Sequence, residues 1–358
     1  GQQGRLLIKQ PLKNFCSQSR SFFVSYNESR EKYFSDKKPL NVSITGATGN
    51  IGYAIAFRIA AGDMLGPKQP VNLNLIDIPE ANNKMTGIKL ELEDCSFPTL
   101  NSCSVHTSLT KGFKDCDVAL VIGVENTGKG TRENQLLDNA KVMAENGVAI
   151  NEVAGKGCKI LVIGNPVNTN TLVLAHHAPH LSKSQIHSMS RLDHNRTINK
   201  LSDVFQVHNS SIENVFVWGN HDSTMYPELE YGKIQGQSIK EKLTQQFRTQ
   251  EFDDFVSNRW KEIAHYRGLT SCASAANAAL DHMRDWCLGS KRWISMGVHS
   301  YGSLYGVPKD LIFSFPCTVE NGRHEIVKDL VLNDLTKEKI KITTDSLLKE
   351  RDIVSKYL

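Results

Sequence analysis

The sequence predicts an α/β fold built on a doubly wound parallel sheet, and the clearest support comes from one contiguous stretch near its beginning. A buried strand over 40–45 runs directly into the glycine-rich turn Gly46-Ala-Thr-Gly-Asn-Ile-Gly52, which a helix over 53–61 follows. A second strand over 71–76 ends at Asp77, 25 residues after the last glycine of the turn. Strand, glycine turn, helix, strand and acid in this order predict a Rossmann-type βαβ unit.

The alternation of strands and helices continues beyond this unit. Strands are predicted at 118–123 and 159–164, with a helix over 133–146 between them. Such alternation is typical of parallel sheets, whose ligands lie beyond the carboxyl ends of the strands. Gly123 and Asn165 fall at those ends, so they are candidates for a ligand site.

The glycine turn has a specific chemical use. Glycines let the backbone turn sharply and approach a pyrophosphate, whose charge then lies at the N-terminus of the following helix. Asp77 suits the adenosine ribose hydroxyls and would repel a 2′-phosphate, which favours NAD over NADP. The candidate cofactor-binding residues are Gly46, Gly49, Asn50, Ile51, Gly52, Asp77, Gly123 and Asn165.

Composition excludes several other classes of protein. Of the 358 residues 40% are hydrophobic and 22% are charged, which is ordinary for a folded globular chain. The longest apolar runs fall far short of the ~20 residues that span a bilayer. The net charge of +4 comes from residues 1–40, which carry an excess of five positive charges, so we expect no nucleic-acid partner. The eight cysteines show no zinc or disulfide spacing, so neither a metal nor a disulfide is predicted.

Residues 1–39 form a basic arm with the composition of a transit peptide. The first 27 residues contain four Lys or Arg and no acid, with Ile8, Leu12 and Phe15 at helical spacing. This pattern predicts a mitochondrial location, with the cytoplasm as the alternative. The arm either packs on its own body or on a subunit partner, or docks into a larger assembly.

A second group of chemically active residues lies further along the chain. The stretch 190–197 opens an amphipathic helix that places Asp193 and Arg196 one turn apart on one face. A strand over 215–218 is followed closely by His221. Taken singly, these residues could equally be a surface ion pair and a structural histidine.

Together these motifs resemble one family. Leu-Asp-His-Asn-Arg at 192–196 and Trp-Gly-Asn-His-x-Ser-Thr-x-Tyr-Pro at 218–227 resemble hallmarks of the malate dehydrogenases, especially their cytosolic-type branch. The likeness extends through most of 40–356 and includes the motifs at 164–170, 280–285, 295–298 and 305–311.

The resemblance implies roles for individual residues. His221 would exchange a proton with the substrate hydroxyl, and Asp193 would orient the imidazole and stabilise its charged form. Arg196 would bind the carboxylate beside the reacting carbon. Asn165 would line the nicotinamide and substrate pocket, with Ser271 as a neighbour. The resemblance also implies a homodimer and a small 2-hydroxy or 2-oxo acid as substrate.

One loop departs from the family pattern, which has two further substrate-binding arginines. Aligning Gly130 with the loop glycine of the family puts Thr127 and Glu133 at the two arginine positions. Lys129 and Arg132 lie two residues and one residue away, and they are substrate-binding candidates if the loop shifts its register. Lysine cannot reproduce the planar two-pronged grip of arginine, so the alignment predicts a weakened clamp.

These features lead to one principal hypothesis and two alternatives. The principal hypothesis is an NAD-dependent malate dehydrogenase-like oxidoreductase of the tricarboxylic acid cycle, with a Rossmann domain over 40–190 and a mixed α+β catalytic domain over 191–358. The first alternative is a catalytically impaired structural subunit of a larger, mitochondrial assembly. The second is an NAD-sensing module without turnover. The catalytic domain is predicted to contain helices over 252–263 and 271–286, and an antiparallel piece over 311–326 that turns at Asn321-Gly322.

Overall fold

The computed structural model of the chain describes residues 37–123 and 131–358, and of Arg132 it describes only the backbone. The predicted arm over 1–39 therefore lies outside the described residues except at positions 37–39. Thr127 and Lys129 also lie outside them.

A parallel sheet forms the centre of the N-terminal half, as the sequence predicts. Its six strands run in the order β3-β2-β1-β4-β5-β6 within the described residues, which is the strand order of dinucleotide-binding Rossmann sheets. The order reverses between β1 and β4, and ligands of such sheets bind beyond the carboxyl ends of these two neighbours. The strands are β1 (Leu40–Thr45), β2 (Val71–Ile76), β3 (Leu100–His106), β4 (Val118–Val121), β5 (Lys159–Val162) and β6 (Ile186–Ser188).

Helices cover both faces of the sheet, and some of their bounds differ from the predictions. The helix after the glycine turn begins at Asn50 rather than at 53, because Gly49 already supplies the N-cap. The helix predicted over 133–146 continues to Val153, because Ala149 and Ile150 remain buried. The helices are α1 (Asn50–Ala60), α2 (Asn82–Asp94), α3 (Leu109–Gly112), α4 (Arg132–Val153), α5 (Val167–His176), α6 (Arg191–Phe205), α7 (Phe252–Arg267), α8 (Ala273–Leu288) and α9 (Asp334–Ile353).

The C-terminal half extends the same sheet with antiparallel strands. Strand β12 (Ser290–His299) lies beside β6 and pairs with β13 (Ile312–Glu320), which pairs with β14 (Arg323–Ile326). Asn321 and Gly322 both have positive φ, 50° and 72°, as a tight hairpin turn requires. The antiparallel piece predicted over 311–326 is thus confirmed, whereas β12 was not predicted.

Short strands complete the C-terminal half. Strands β8 (Phe216–Trp218) and β9 (Tyr226–Glu228) form a two-stranded sheet, and the loop between them carries His221. A further small sheet consists of β7 (Ile212–Glu213), β10 (Lys233–Ile234) and β11 (Gln237–Ser238). Over residues 37–123 and 131–358, no helix has the length and apolar character that crossing a membrane would need.

Candidate active site

The glycine turn is packed too tightly for side chains at two of its positions. Gly46 has φ +60°, and a Cβ there would lie 2.9 Å from the Cα of Gly123 at the end of β4. A Cβ on Gly52 would lie 2.4 Å from the carbonyl oxygen of Gly46. Because β1 and β4 are neighbours at the reversal of strand order, this close approach joins the glycine turn to the residue that follows β4.

The N-terminus of α1 faces the end of this turn and suits an anion. Its N-cap residue, Gly49, offers no side chain to the first backbone N–H groups, and the first turn contains no acidic residue. The partial positive charge of the helix end is therefore left for a ligand. The residues present fit a pyrophosphate, and Asn50, Ile51 and Gly52 would supply the nearest N–H groups.

Asp77 is held beside the turn by a residue that sequence reasoning missed. The backbone N–H and hydroxyl of Thr48 donate to Asp77 Oδ2 at 2.9 and 2.8 Å, and the N–H of Ile78 donates to Oδ1 at 2.9 Å. A carboxylate has about four acceptor positions, so capacity for a ribose hydroxyl remains. Thr48 lies within the glycine turn, directly before Gly49, and this position is the sequence signal that could have identified it as a partner of Asp77.

Asp193 joins the other two predicted polar residues through its two oxygens. His221 Nδ1 lies 2.5 Å from Asp193 Oδ2, and Arg196 Nη1 donates to Oδ1 at 3.1 Å. The Asp193 side chain is 1% exposed, that of Arg196 9% and that of His221 12%. The structure therefore brings together the pair on α6 and the histidine that follows β8.

The surroundings of His221 raise its pKa above the ordinary value. Burial alone would lower this pKa, but the negative charge of Asp193 and the hydrogen bond to it outweigh burial, with a smaller contribution from Asp222. The charge of Arg196 acts in the opposite direction. With Nδ1 directed at Asp193, Nε2 is the nitrogen left to exchange a proton with a ligand.

The backbone of His221 is fixed by a second residue that was not predicted. Asn168 on α5 accepts the His221 N–H through Oδ1 at 3.1 Å. Its amide group donates to the carbonyl oxygens of Ile312 at 2.9 Å and Gly219 at 3.3 Å, and the residue is 1% exposed. Because Asn168 lies three residues after Asn165, this contact ties the histidine to the carboxyl end of β5.

Comparison with known proteins accounts for both halves of this geometry. Residues 40–187 match the family model for the NAD binding domain of lactate/malate dehydrogenase, and residues 190–357 match that for its alpha/beta C-terminal domain. The chain belongs to the lactate/malate dehydrogenase family. Membership confirms the fold class, the NAD cofactor and the oxidoreductase class. It does not decide between malate and lactate as the substrate.

Solved structures of family members superpose on nearly the whole described chain. Malate dehydrogenase from Naegleria fowleri is 34% identical, with a TM-score of 0.87, covering 90% of this chain and 99% of that one. Trichomonas vaginalis lactate dehydrogenase, in complex with NADH and oxamate, is 33% identical, with a TM-score of 0.85, covering 89% and 98%.

The remaining family positions are placed as follows. Arg196 Nη2 donates to the Ser271 hydroxyl at 3.3 Å, so Ser271 contacts the predicted substrate-binding arginine. Asn165 is exposed, and its carbonyl oxygen accepts from Asn139 Nδ2 at 3.4 Å. Asp193 and Ser271 accept two of the five N–H groups of Arg196, so among the described residues N–H groups remain for a substrate carboxylate.

The substrate loop of the family corresponds to a stretch that is only partly described. Helix α4 begins at Arg132, and Thr131 caps it by accepting the Asn134 N–H at 3.2 Å. Glu133 lies exposed in the first turn of that helix. Lys129 lies outside the described residues, so the altered clamp remains a prediction from the sequence.

Proposed function

We propose that the protein is an active NAD-dependent dehydrogenase that interconverts a small 2-hydroxy acid and its 2-oxo acid, with malate and oxaloacetate as the first candidate pair. The observation that carries this proposal is the buried carboxylate of Asp193, shared between His221 and Arg196. A purely structural subunit would have no need for a buried Asp193 whose Oδ2 meets His221 and whose Oδ1 accepts from Arg196. Neither comparison favours that alternative.

The proposed chemistry divides the reaction between cofactor and protein. When bound, NADH would supply the hydride that adds to the C2 carbon of the 2-oxo acid. His221 donates the Nε2 proton to the carbonyl oxygen, and Asp193 stabilises the imidazolium before transfer. Arg196 binds the C1 carboxylate through the N–H groups that Asp193 and Ser271 do not use. Oxidation of the 2-hydroxy acid runs through the same contacts in reverse, with neutral His221 as the base.

A second substrate class is favoured by the loop after β4. The family alignment puts Thr127 and Glu133 where arginines are expected, and Glu133 would repel a second carboxylate. Hydrogen bonds to charged groups contribute about 1.5–3 kcal/mol each, so the missing pair would cost about 3–6 kcal/mol with a dicarboxylate. A monocarboxylate such as pyruvate avoids the part of this loss that belongs to the distal carboxylate, about 1.5–3 kcal/mol, in keeping with the similarity to a lactate dehydrogenase.

The test is NADH consumption by the full chain with oxaloacetate and, separately, pyruvate. We expect His221→Asn to lower kcat/KM by about 10²- to 10⁴-fold with the preferred acid, because the proton donor is lost. NADH binding, followed by fluorescence, should be retained. His180→Asn, at an exposed histidine, is the matched control.

Each outcome decides one part of the proposal. Higher kcat/KM for oxaloacetate supports the malate assignment, and higher kcat/KM for pyruvate supports the monocarboxylate. Wild-type protein that binds NADH and turns over neither acid would overturn the proposal, as would His221→Asn with undiminished turnover.

Further features of the sequence extend the proposal. Residues 40–190 would act as the NAD-binding domain and 191–358 as the catalytic domain, in a homodimer. The basic composition of the arm over 1–39 supports delivery to mitochondria and a place in the tricarboxylic acid cycle. Cell fractionation of tagged protein tests the location, and sedimentation tests the oligomeric state.

A further inference from the structure

The residues on either side of His221 are both attached to the C-terminal helix α9. Asn220 is 3% exposed, and its backbone N–H donates to the hydroxyl of Thr343 at 2.8 Å. Asp222 accepts a hydrogen bond at Oδ2 from the hydroxyl of Ser346 at 2.9 Å. The loop between β8 and β9 is therefore held on both sides of His221 by one helix.

The contact at Thr343 depends on close packing between the helix and the loop. Thr343 is fully buried, and Gly219 next to it has φ +94°. A Cβ on Gly219 would lie 2.2 Å from the hydroxyl oxygen of Thr343, so only glycine allows the helix to approach this closely. The Thr343 hydroxyl also lies 3.0 Å from that of Thr224, at the far end of the loop.

The contact at Ser346 fixes a charge near the histidine. The other oxygen of Asp222, Oδ1, accepts from the backbone N–H of Thr224 at 2.7 Å and from its hydroxyl at 2.5 Å. The side-chain amide of Asn220 donates to Oδ2 at 3.1 Å. The charge of Asp222 helps to raise the pKa of His221, after the larger effects of burial, which lowers it, and of Asp193.

Helix α9 is also connected to the helix that holds the His221 backbone. Glu350 accepts from the Thr169 hydroxyl at 2.5 Å and lies 3.5 Å from the side-chain amide of Asn220. Thr169 follows Asn168, whose amide oxygen accepts the His221 N–H. Contacts from α5 and α9 thus meet at the segment 220–222.

We propose that Thr343 and Ser346 of α9 are positioning residues for His221. Thr343 sets the path of the backbone before the histidine, and Ser346 holds the carboxylate of Asp222 after it. The proposal rests on the proposed function, in which His221 is the proton donor. Among the described residues, the charged groups that act on the pKa of the histidine are Asp193 and Arg196 on α6 and Asp222 on its own loop, and Glu350 on α9 lies against the neighbouring Asn220.

The first test is Thr343→Val, which keeps the branched shape and removes the hydroxyl. The Asn220 N–H then lacks its acceptor, and a displacement of about 1 Å at a catalytic group can cost about 10²-fold in rate. We expect kcat to fall by about ten- to hundredfold, with little change in KM and none in NADH binding. Thr343→Ser, which retains the hydroxyl, should restore most of the rate.

The helix offers a matched control beside the tested residue. Thr344 is 6% exposed, and among the described residues its hydroxyl has no hydrogen-bond partner. Thr344→Val therefore makes the same substitution without removing a contact to the loop, and it should leave kcat unchanged. Equal kcat values for Thr343→Val and Thr344→Val would overturn the positioning role of Thr343.

The second test, Ser346→Ala, gives a readout that packing alone would not move. Without Ser346, Asp222 loses one of the two hydrogen bonds at Oδ2, so its carboxylate is held less firmly by Thr224 and Asn220 and its effect on the pKa of His221 weakens. Reduction of the 2-oxo acid requires protonated His221. The alkaline limb of the pH profile for this reduction should therefore move to lower pH in Ser346→Ala. An unmoved limb would overturn the role of Ser346, and this measurement also decides the proposal if Thr343→Val does not fold.

The His221→Asn variant separates the two proposals. If His221→Asn keeps full turnover, the proposed function fails and the positioning role fails with it. If His221→Asn loses turnover while Thr343→Val and Ser346→Ala match wild type in rate and pH profile, the function stands and only the positioning role is lost.

Discussion

His221 differs from a second group of histidines, two of them buried and one partly buried, in the charge of its partners. His187, His282 and His324 form a hydrogen-bonded chain, with ring nitrogens 3.1 and 2.9 Å apart, and His187 stacks on Trp286 at 3.5 Å between ring centres. Burial lowers the pKa of His282 to about 3 and that of His324 to about 4. The charged residues that act on this cluster, Lys159 and Arg191, are cations that lower the pKa values further.

The comparison shows what converts a buried histidine into an acid. Burial disfavours the imidazolium at both places, so burial alone yields a neutral ring at physiological pH. Asp193 reverses the outcome at His221, because its charge and its hydrogen bond stabilise the protonated ring. The same side chain is therefore a packing element in one place and a candidate proton donor in the other.

The largest expected effect comes from making His221 resemble the cluster. Asp193→Asn removes the charge that raises the pKa of His221, and it leaves Arg196 without its carboxylate. We expect kcat/KM for the 2-oxo acid to fall by about 10²- to 10⁴-fold, and the alkaline limb of its pH profile to move to lower pH. Steady-state kinetics across pH checks both, with Asp203→Asn, exposed on the same helix, as the control.

The comparison between His221 and the histidine cluster would fail if the pH profile of Asp193→Asn kept its alkaline limb at the wild-type pH. In that case a group other than this carboxylate would set the pKa of the proton donor.

A smaller effect is expected on stability, from the cluster itself. The unfolded chain binds a proton at His324 as pH falls through about 6.5, whereas the folded chain does so only near 4. Stability is therefore lost progressively between these values, by about 2 kcal/mol at pH 5. In His324→Gln the loss of unfolding free energy between about pH 7 and pH 5 should be smaller by that amount.

Urea denaturation of both proteins at the two pH values measures this difference. Equal losses for wild type and His324→Gln would mean that the cluster takes up protons in the folded state as readily as in the unfolded one.

The smallest expected effect concerns the arginine that shares Asp193. Ser271→Ala removes the hydroxyl that accepts from Arg196 Nη2, while the bond from Nη1 to Asp193 remains. We expect KM for the 2-oxo acid to rise only a few-fold, with kcat nearly unchanged, because one neutral acceptor contributes about 1 kcal/mol. Ser274→Ala, at an exposed serine nearby, is the control. A large fall in kcat would show that Arg196 and His221 are coupled through the shared carboxylate.

The parts of the fold that were predicted are those encoded locally. Strands β1 and β2, with the glycine turn between them, occupy one stretch of fewer than 40 residues and show their own periodicity. Strand β12 was missed because its place depends on β6, which lies about 100 residues earlier. Its first residues are partly exposed and polar, so no clean alternation marks it.

The candidate site shows the same dependence on distance along the chain. Asp193 and Arg196 share a face through helix geometry, but their pairing with His221 was suggested only by resemblance to a family. Asn168 lies 53 residues from His221, and Thr343 lies 123 residues from Asn220. Buried polar residues at such separations show no periodicity, so the sequence gives no signal for their contacts.

The junction between the two halves has a consequence for how the chain is made. Strand β6 pairs with β12 through Ser188 and Gly297, where a Cβ on the glycine would come within 1.7 Å of the serine hydroxyl. During synthesis, residues 40–188 emerge about 100 residues before β12, and until then one edge of the parallel sheet has no partner strand. Bare edges template aggregation. We therefore expect residues 40–188, expressed alone, to self-associate through the unpaired edge at β6, which sedimentation would measure.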